Sequence, residues 1–123
     1  MARVARLAPV LAVVVASIAL SACGTGGAVS DARASCKLVH RAIALQAKSE
    51  SSGLSAAKRA SLQSAAMSEL LKATQSAADA TSIDGSWNAL MTTINEAERV
   101  PLTNLVPALT RLCKVADSST PYL

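Results

Sequence analysis

Three cysteines carry the most reactive side chains of this 123-residue chain: Cys23, Cys36 and Cys113. A cysteine can be acylated, can pair in a disulfide, or can bind a metal ion as its thiolate. No two of the three stand in a C-x-x-C spacing, so neither a zinc knuckle nor a thioredoxin-like redox pair is indicated. The surroundings of each cysteine therefore decide which of these reactions applies.

The segment before Cys23 has the features of an export signal. Arg3 and Arg6 precede an apolar run over residues 10–20. A secretory signal combines a basic start, an apolar run of about 7–15 residues and small residues after it. A transmembrane helix needs roughly 20 apolar residues, which is more than this run offers. We therefore expect residues 1–22 to be a signal peptide.

The stretch Leu20-Ser21-Ala22-Cys23-Gly24 resembles the lipobox of bacterial lipoproteins, in which a Leu and two small residues precede the modified Cys. The resemblance implies that Cys23 is acylated through its sulfur and becomes the mature N-terminus. It covers residues 1–24 and implies nothing about the rest of the chain. The two acyl chains of a diacylglyceryl group attach a protein stably to a membrane, whereas one does so marginally. The alternative is an ordinary secreted protein that is cut nearby.

Removal of residues 1–22 leaves 101 residues, which suffice for one small domain. Arg3 and Arg6 leave with the signal, so the net charge falls from +4 to +2. The basic residues are dispersed along the chain and the aromatic residues are Trp87 and Tyr122, which argues against a nucleic-acid partner. Two interpretations of the basic residues remain: a solvated surface of mixed charge, which is the plainer one, and a weak attraction to anionic lipid headgroups.

Three arrangements could carry catalysis or metal binding, and each has a plainer explanation. Ser55 and Lys58 share the S-x-x-K spacing of penicillin-binding proteins, but the partner sequences S-D-N and K-T-G are absent, so Ser55 is better explained as a helix cap. His40 is the sole histidine and cannot supply the paired ligands that zinc usually needs. Glu96 and Glu98 are two residues apart and point to different sides of a helix. We expect no catalytic site, metal or cofactor.

Apolar periodicity predicts an all-α fold, a small up-down bundle of about four helices. We expect a flexible tether over residues 23–30, a helical domain over 31–117 and a frayed tail over 118–123. The apolar positions recur at spacings of three and four: Ala32, Cys36, Val39, Ile43 and Ala47; Leu62, Ala66, Leu70, Ala73 and Ala77; Ile83, Trp87, Leu90, Met91, Ile94 and Ala97; Leu102, Leu105, Val106, Leu109, Leu112, Cys113 and Ala116.

Local signals place the ends of these helices. Asp31 is the expected N-cap of the first helix, and the second helix runs from near Ser55 to about Ala80. A break over residues 81–85, capped by Ser82 or Asp84, precedes the third helix, which ends at Val100-Pro101. Because an interior proline costs about 3 kcal/mol, we expect the fourth helix to begin near Val106 after a short irregular lead-in; a helix kinked at Pro107 is the alternative. Trp87 is the expected core anchor.

If Cys23 is acylated, Cys36 and Cys113 are the remaining cysteines. Two cysteines in an exported domain usually form a disulfide. Cys36 lies near the start of the first predicted helix and Cys113 near the end of the fourth, which an up-down bundle brings to the same end. A disulfide needs Cα atoms about 4.4–6.8 Å apart, so the two helices must be neighbours. Two free buried thiols, or pairing between chains, are the alternatives.

These features indicate a location and a fold rather than a reaction. The leading expectation is a lipid-anchored, non-enzymatic module that contacts another envelope component at the extracytoplasmic face of the cell membrane. The alternative is a carrier or sensor of a small apolar ligand held between the helices. A carrier needs an apolar cavity of roughly a few hundred Å³, whereas an interaction module needs an exposed apolar patch.

Overall fold

The computed structural model describes residues 25–121, and four α-helices account for most of them. They are α1 (Thr25–Ser49), α2 (Ala56–Ile83), α3 (Asn88–Asn95) and α4 (Leu102–Ala116), and 3-10 turns at Gly85–Trp87 and Glu96–Glu98 flank α3. The described part contains no β-strand. The predicted all-α class and the number of helices are confirmed. The predicted signal peptide (residues 1–22), Cys23 and Tyr122 lie outside the described residues.

Successive helices pack against each other, and α4 closes the bundle against α1. α1 and α2 form a long antiparallel pair, in which a Cβ placed on Gly27 would lie 3.6 Å from Cδ1 of Ile83. The turn between them contains Gly53 at a φ of 83°, a left-handed conformation that glycine adopts without strain. α3 and α4 are shorter and complete the ring, as an up-down order requires.

Fully buried alanines line the contact between α1 and α2. They are Ala28, Ala32 and Ala42 on α1 and Ala66, Ala73, Ala77 and Ala80 on α2. Small side chains let two helix backbones approach closely, but each buries little apolar area. Within this contact the buried hydroxyl of Ser35 donates to the carbonyl oxygen of Ala73 at 2.9 Å. The predicted inner face of the second helix is confirmed from Ala66 to Ala77, while Leu62 is half-buried.

The predicted start of the first helix is wrong. α1 begins at Thr25, so residues 25–30 are helical rather than a tether, and Asp31 lies inside the helix instead of capping it. Each glycine in a helix interior costs about 1 kcal/mol relative to alanine, which is why the glycine-rich sequence predicted a flexible chain. Burial of Ala28 and Ala32 against the bundle opposes that cost.

The predicted start of the fourth helix is also wrong. α4 begins at Leu102, directly after Pro101, and contains Pro107 within its helical span. The proline removes one backbone donor, but Leu102 and Leu105 on the preceding turn are both buried. Their burial favours the helical conformation of this lead-in despite the lost hydrogen bond.

The junction between α2 and α3 agrees with the expected break in part. α2 continues to Ile83, which is 42% exposed rather than part of an inner face. Asp84 then ends the helix, and its carboxylate accepts a hydrogen bond from the backbone N–H of Ser86 at 3.0 Å. Of the two proposed caps, Asp84 is therefore the one that the structure uses.

The expected frayed tail is wrong for residues 118–121. Arg33 of α1 donates from Nη2 to the carbonyl oxygen of Ser118 at 3.0 Å, and Pro121 is buried. Residues 118–121 therefore contact the bundle after the end of α4 at Ala116. The last two residues of the chain lie outside the described part.

Trp87 is 1% exposed and is the largest of the fully buried side chains. It ends the 3-10 turn before α3, and the buried Leu90 and Ile94 follow on the same side of α3. The prediction of Trp87 as the core anchor is confirmed. In a core that is otherwise rich in alanine, this one indole supplies a large share of the buried apolar area.

Replacement of Trp87 by alanine should lower the free energy of unfolding by about 3–5 kcal/mol, the usual cost of truncating a large buried aromatic side chain. Chemical denaturation followed by circular dichroism measures this change. The control is Leu71→Ala, because Leu71 is 53% exposed and should cost under about 0.5 kcal/mol. Equal losses for the two variants would contradict the assignment.

Cys36 and Cys113 form a disulfide with their Cα atoms 5.4 Å apart. The predicted bridge and the adjacency of the first and fourth helices are both confirmed. Because α1 begins at Thr25, the bridge meets α1 nearer to its middle than the sequence predicted. Both residues are fully buried.

Reduction of the bridge, or the double substitution Cys36→Ala with Cys113→Ala, should lower the free energy of unfolding. The bridge spans 77 positions of the sequence, and the chain-entropy model assigns a loop of that size roughly 4 kcal/mol. Denaturation with and without reductant measures the loss. Mass spectrometry after alkylation without reductant is the direct check, since two alkylated thiols would refute the bridge.

Candidate functional site

Polar contacts between α1 and α4 are concentrated along the outer edge where these two helices meet, here called the α1–α4 seam. On the α1 side the seam contains Arg33, His40, Gln46 and Glu50; on the α4 side it contains Thr103, Ala116, Asp117 and Ser118. The disulfide lies beneath it in the core. The seam therefore runs over the outside of the helix pair that the disulfide joins.

Arg33 caps the carboxyl end of α4. Its Nε donates to the carbonyl oxygen of Ala116 at 2.8 Å, and its Nη2 donates to that of Ser118 at 3.0 Å. The last carbonyls of a helix lack hydrogen-bond donors inside the helix and carry a partial negative charge. A guanidinium at this position both donates hydrogen bonds to these carbonyls and interacts favourably with their charge. This one side chain holds the end of α4 and Ser118 against α1.

His40 and Asp117 pair across the seam, with Nε2 of the imidazole 2.9 Å from Oδ2 of the carboxylate. The two side chains are 52% and 44% exposed, so the pair lies on the surface and not in a cleft. A histidine held by an aspartate is also an element of nucleophilic catalysis. The cysteine one turn before this histidine, Cys36, is held in the disulfide and cannot act as its nucleophile.

A second polar cluster lies at the other end of the seam. The Gln46 amide donates to Oε1 of Glu50 and to Oγ1 of Thr103, each at 3.1 Å, and the Thr103 hydroxyl donates to the same Glu50 oxygen at 2.9 Å. These hydrogen bonds, first from Gln46 and then from Thr103, lower the pKa of Glu50 below its ordinary value of 4.5. The cluster joins the end of α1 to the first turn of α4.

Two grooves open onto the surface of the described residues. The larger, of about 460 Å³, lies beside the end of α4 and is lined by Arg111, Lys114, Val115, Ser118 and Thr120. The smaller, of about 260 Å³, is lined by Gln46, Gln63, Met67, Pro101, Leu102 and Thr103. The smaller groove therefore lies where α1, α2 and the start of α4 meet, whereas Trp87, Leu70, Leu90 and Leu109 are at most 1% exposed each and fill the core.

The charges of the domain are divided unevenly between its two sides. Six exposed cations lie on α1 and α4 and form what we call the basic face: Arg33, Lys37, Arg41, Lys48, Arg111 and Lys114. The carboxylates on or directly after these two helices are Asp31, Glu50 and Asp117, and the last two accept hydrogen bonds within the seam. The other side, built from α2, α3 and their connections, carries Lys58, Arg59, Lys72 and Arg99 against Glu69, Asp79, Asp84, Glu96 and Glu98.

The structure places the candidate residues from the sequence as follows. Cys36 and Cys113 are joined, and the hydroxyl of Ser55 accepts from the backbone N–H of Lys58 at 3.1 Å as the cap of α2. His40 is exposed and paired with Asp117. Within residues 25–121, no three side chains of the metal-binding types cluster, and no helix has the length and hydropathy needed to cross a membrane.

The basic face is the feature that sequence reasoning missed. The spacing of Lys37, Arg41 and Lys48 placed them together on the polar side of the first helix, but Arg111 and Lys114 join them through the packing of α4. The adjacency of Cys36 to Lys37 and of Cys113 to Lys114 was the signal that could have linked the two rows.

Comparison of the chain with protein-family models, with curated proteins and with solved structures gives no significant match.

Replacement of Thr103 by valine should raise the pKa of Glu50 toward its ordinary value, because the carboxylate then loses one of its two donors. A lowered folded-state pKa contributes stability above the ordinary value, and that stability is lost as pH falls through the lowered value. An NMR titration of the Glu50 carboxyl carbon measures the shift. Thr92→Val is the control, since the Thr92 hydroxyl bonds within its own helix to the oxygen of Asn88. An unchanged Glu50 titration in the Thr103 variant would contradict this assignment.

Proposed function

We propose that this protein is a bacterial lipoprotein: a small helical domain that is held by acylated Cys23 at the extracytoplasmic face of the cell membrane, where it contacts another envelope component without catalysing a reaction. The lipobox-like stretch Leu20–Gly24 carries this proposal. The diacylglyceryl group supplies the membrane attachment, and the bundle supplies the contact surface.

The disulfide supports export. Disulfides persist in oxidising compartments and are rare in the cytosol, where thiols are kept reduced. The Cys36–Cys113 bridge closes a ring of helices whose α1–α2 contact is lined mainly by alanine, so the fold gains much of its stability where the bridge can form. A location outside the cytoplasm fits that dependence.

The side chains with catalytic potential favour a non-enzymatic role. Ser55 acts as a helix cap and His40 forms an exposed pair with Asp117, so the two lie on different elements in structural roles. Glu96 pairs with Arg99 at 2.7 Å on the surface. A binding surface requires none of these groups to be activated.

The packing gives the carrier alternative less support. The core between the helices is occupied by Trp87, Leu70, Leu90 and Leu109, the larger groove opens to solvent beside the end of α4, and the smaller one, of about 260 Å³, has glutamine and threonine in its lining. An apolar docking patch is equally unsupported, because the exposed large apolar residues of the described part are Leu71 and Ile83, about 18 Å apart along α2. A contact surface of polar and charged groups fits the structure better.

Replacement of Cys23 by serine should move the protein from the detergent phase to the aqueous phase of a detergent partition, or leave it as an unprocessed precursor, because serine offers no sulfur for acylation. Ser21→Ala is the control, since it keeps a small residue in the lipobox-like stretch and should stay in the detergent phase. Normal processing and lipid labelling of the Cys23 variant would refute the anchor.

A crosslinking pull-down from intact membranes tests the second half of the proposal. Specific recovery of one envelope protein supports a contact module. Recovery of a lipid or metabolite with the bundle, and of no protein, supports the carrier instead.

A further inference from the structure

The basic face is a row of exposed cations on two adjacent helices, whereas a mixed-charge surface has cations and carboxylates interspersed. Arg33, Lys37 and Arg41 succeed one another every four residues along α1, and Lys48 continues the row two turns later. Lys37 follows Cys36 and Lys114 follows Cys113, and the disulfide holds the Cα atoms of the two cysteines 5.4 Å apart, so α1 and α4 are close together where these lysines stand. The result is one positively charged surface on two helices.

This arrangement works against the stability of the helix that carries it. Like charges at a spacing of four residues repel each other and destabilise a helix. Of the three carboxylates of α1 and the end of α4, which are Asp31, Glu50 and Asp117, the last two are held by donors of the seam instead of by the cations of the row. The surface is therefore suited to an anionic partner outside the chain.

The position of Cys23 identifies that partner as a membrane surface. Cys23 stands two residues before Thr25, the first residue of α1, and two residues of chain reach at most about 7 Å. An acylated Cys23 thus keeps the beginning of α1 at the level of the lipid headgroups. Residues 25–30, which we expected to form most of a flexible tether, are instead part of α1.

The orientation of α1 then determines which cations meet the membrane. Along the helix axis, Lys37 lies about 18 Å and Lys48 about 34 Å from Thr25. Charges are screened beyond about 8 Å at physiological ionic strength. With α1 upright, the distal cations are therefore out of range of the headgroups, whereas with α1 parallel to the membrane the whole row is within range.

We propose that the basic face of α1 and α4 binds anionic phospholipid headgroups, so that the bundle lies flat on the membrane with α1 parallel to its surface. This inference rests on the lipid anchor proposed above. The opposite side, which carries an excess of carboxylates over cations, then faces away from the negatively charged lipid. Attraction on one side and repulsion on the other favour the same orientation.

Lysine footprinting of the full-length mature protein, purified with its own N-terminus, tests the orientation. The protein is reconstituted into vesicles of phosphatidylcholine alone or with about a third phosphatidylglycerol and treated with a membrane-impermeant acylating reagent. In anionic vesicles, Lys37, Lys48 and Lys114 should react about fivefold more slowly than in neutral vesicles, which corresponds to about 1 kcal/mol per cation at the surface. The reactivity of Lys58 and Lys72 on α2 should not change.

Salt and matched variants sharpen the test. About 1 M salt shortens the screening length to about 3 Å and should remove the protection. Lys37→Glu with Arg41→Glu should abolish the protection of Lys48 and Lys114. Lys58→Glu with Arg59→Glu changes the net charge equally at exposed positions of α2 and should preserve it. The comparison of neutral with anionic vesicles uses the unaltered protein, so the test does not depend on whether either variant folds.

Flotation of the same vesicles separates this inference from the anchor. Flotation on both lipids with equal lysine reactivity refutes the basic face and leaves the anchor intact. Flotation on anionic vesicles alone, with the three lysines protected, supports the basic face and refutes the anchor. Flotation on neither refutes both, and protection that is equal in both lipids, or that includes Lys58 and Lys72, refutes the orientation.

Discussion

The disulfide between Cys36 and Cys113 is the constraint on which the arrangement of α1 and α4 depends. The ring of helices closes at this contact, and the other long contact, between α1 and α2, is lined mainly by alanines that bury little area each. The bridge stabilises a bundle with so few large core side chains, because it removes conformational freedom from the unfolded chain. It also fixes the position of α1 relative to α4. The same bridge therefore stabilises the bundle and holds together the two helices that carry the seam and the basic face.

Much of the fold follows from periodicity, because a helix that buries one side repeats its apolar residues every three or four positions. The inner faces around Ala73, Leu90 and Leu109 were predictable in this way. The starts of α1 and α4 were not, because glycine and Pro107 oppose helix formation locally. Burial of Ala28 and Leu102 against other helices overrides that local preference, and a sequence by itself does not show which neighbour supplies the burial.

The surface was less predictable than the core for a related reason. The pairing of Cys36 with Cys113 could be inferred, because a bridge needs only that two helices be adjacent. The basic face needs in addition the rotation of α4 about its own axis, which decides whether Lys114 and Arg111 join the row on α1 or point elsewhere. The contact of Arg33 with the end of α4 was equally unpredictable. Its acceptors are backbone carbonyl oxygens, and no pattern of residue types shows which carbonyls lie near an arginine.

The proposed orientation has a consequence for the partner surface. A bundle that lies on α1 and α4 turns α2 and α3 toward the solvent, and the first turns of α2 expose mostly alanine, serine, Lys58 and Arg59. Small side chains leave a helix surface smooth, so a second helix can approach it as closely as α1 approaches α2 in the core. The membrane and a protein partner would therefore use opposite sides of the same bundle. In the proposed orientation, occupation of the membrane side would leave the side of α2 and α3 free for a protein partner.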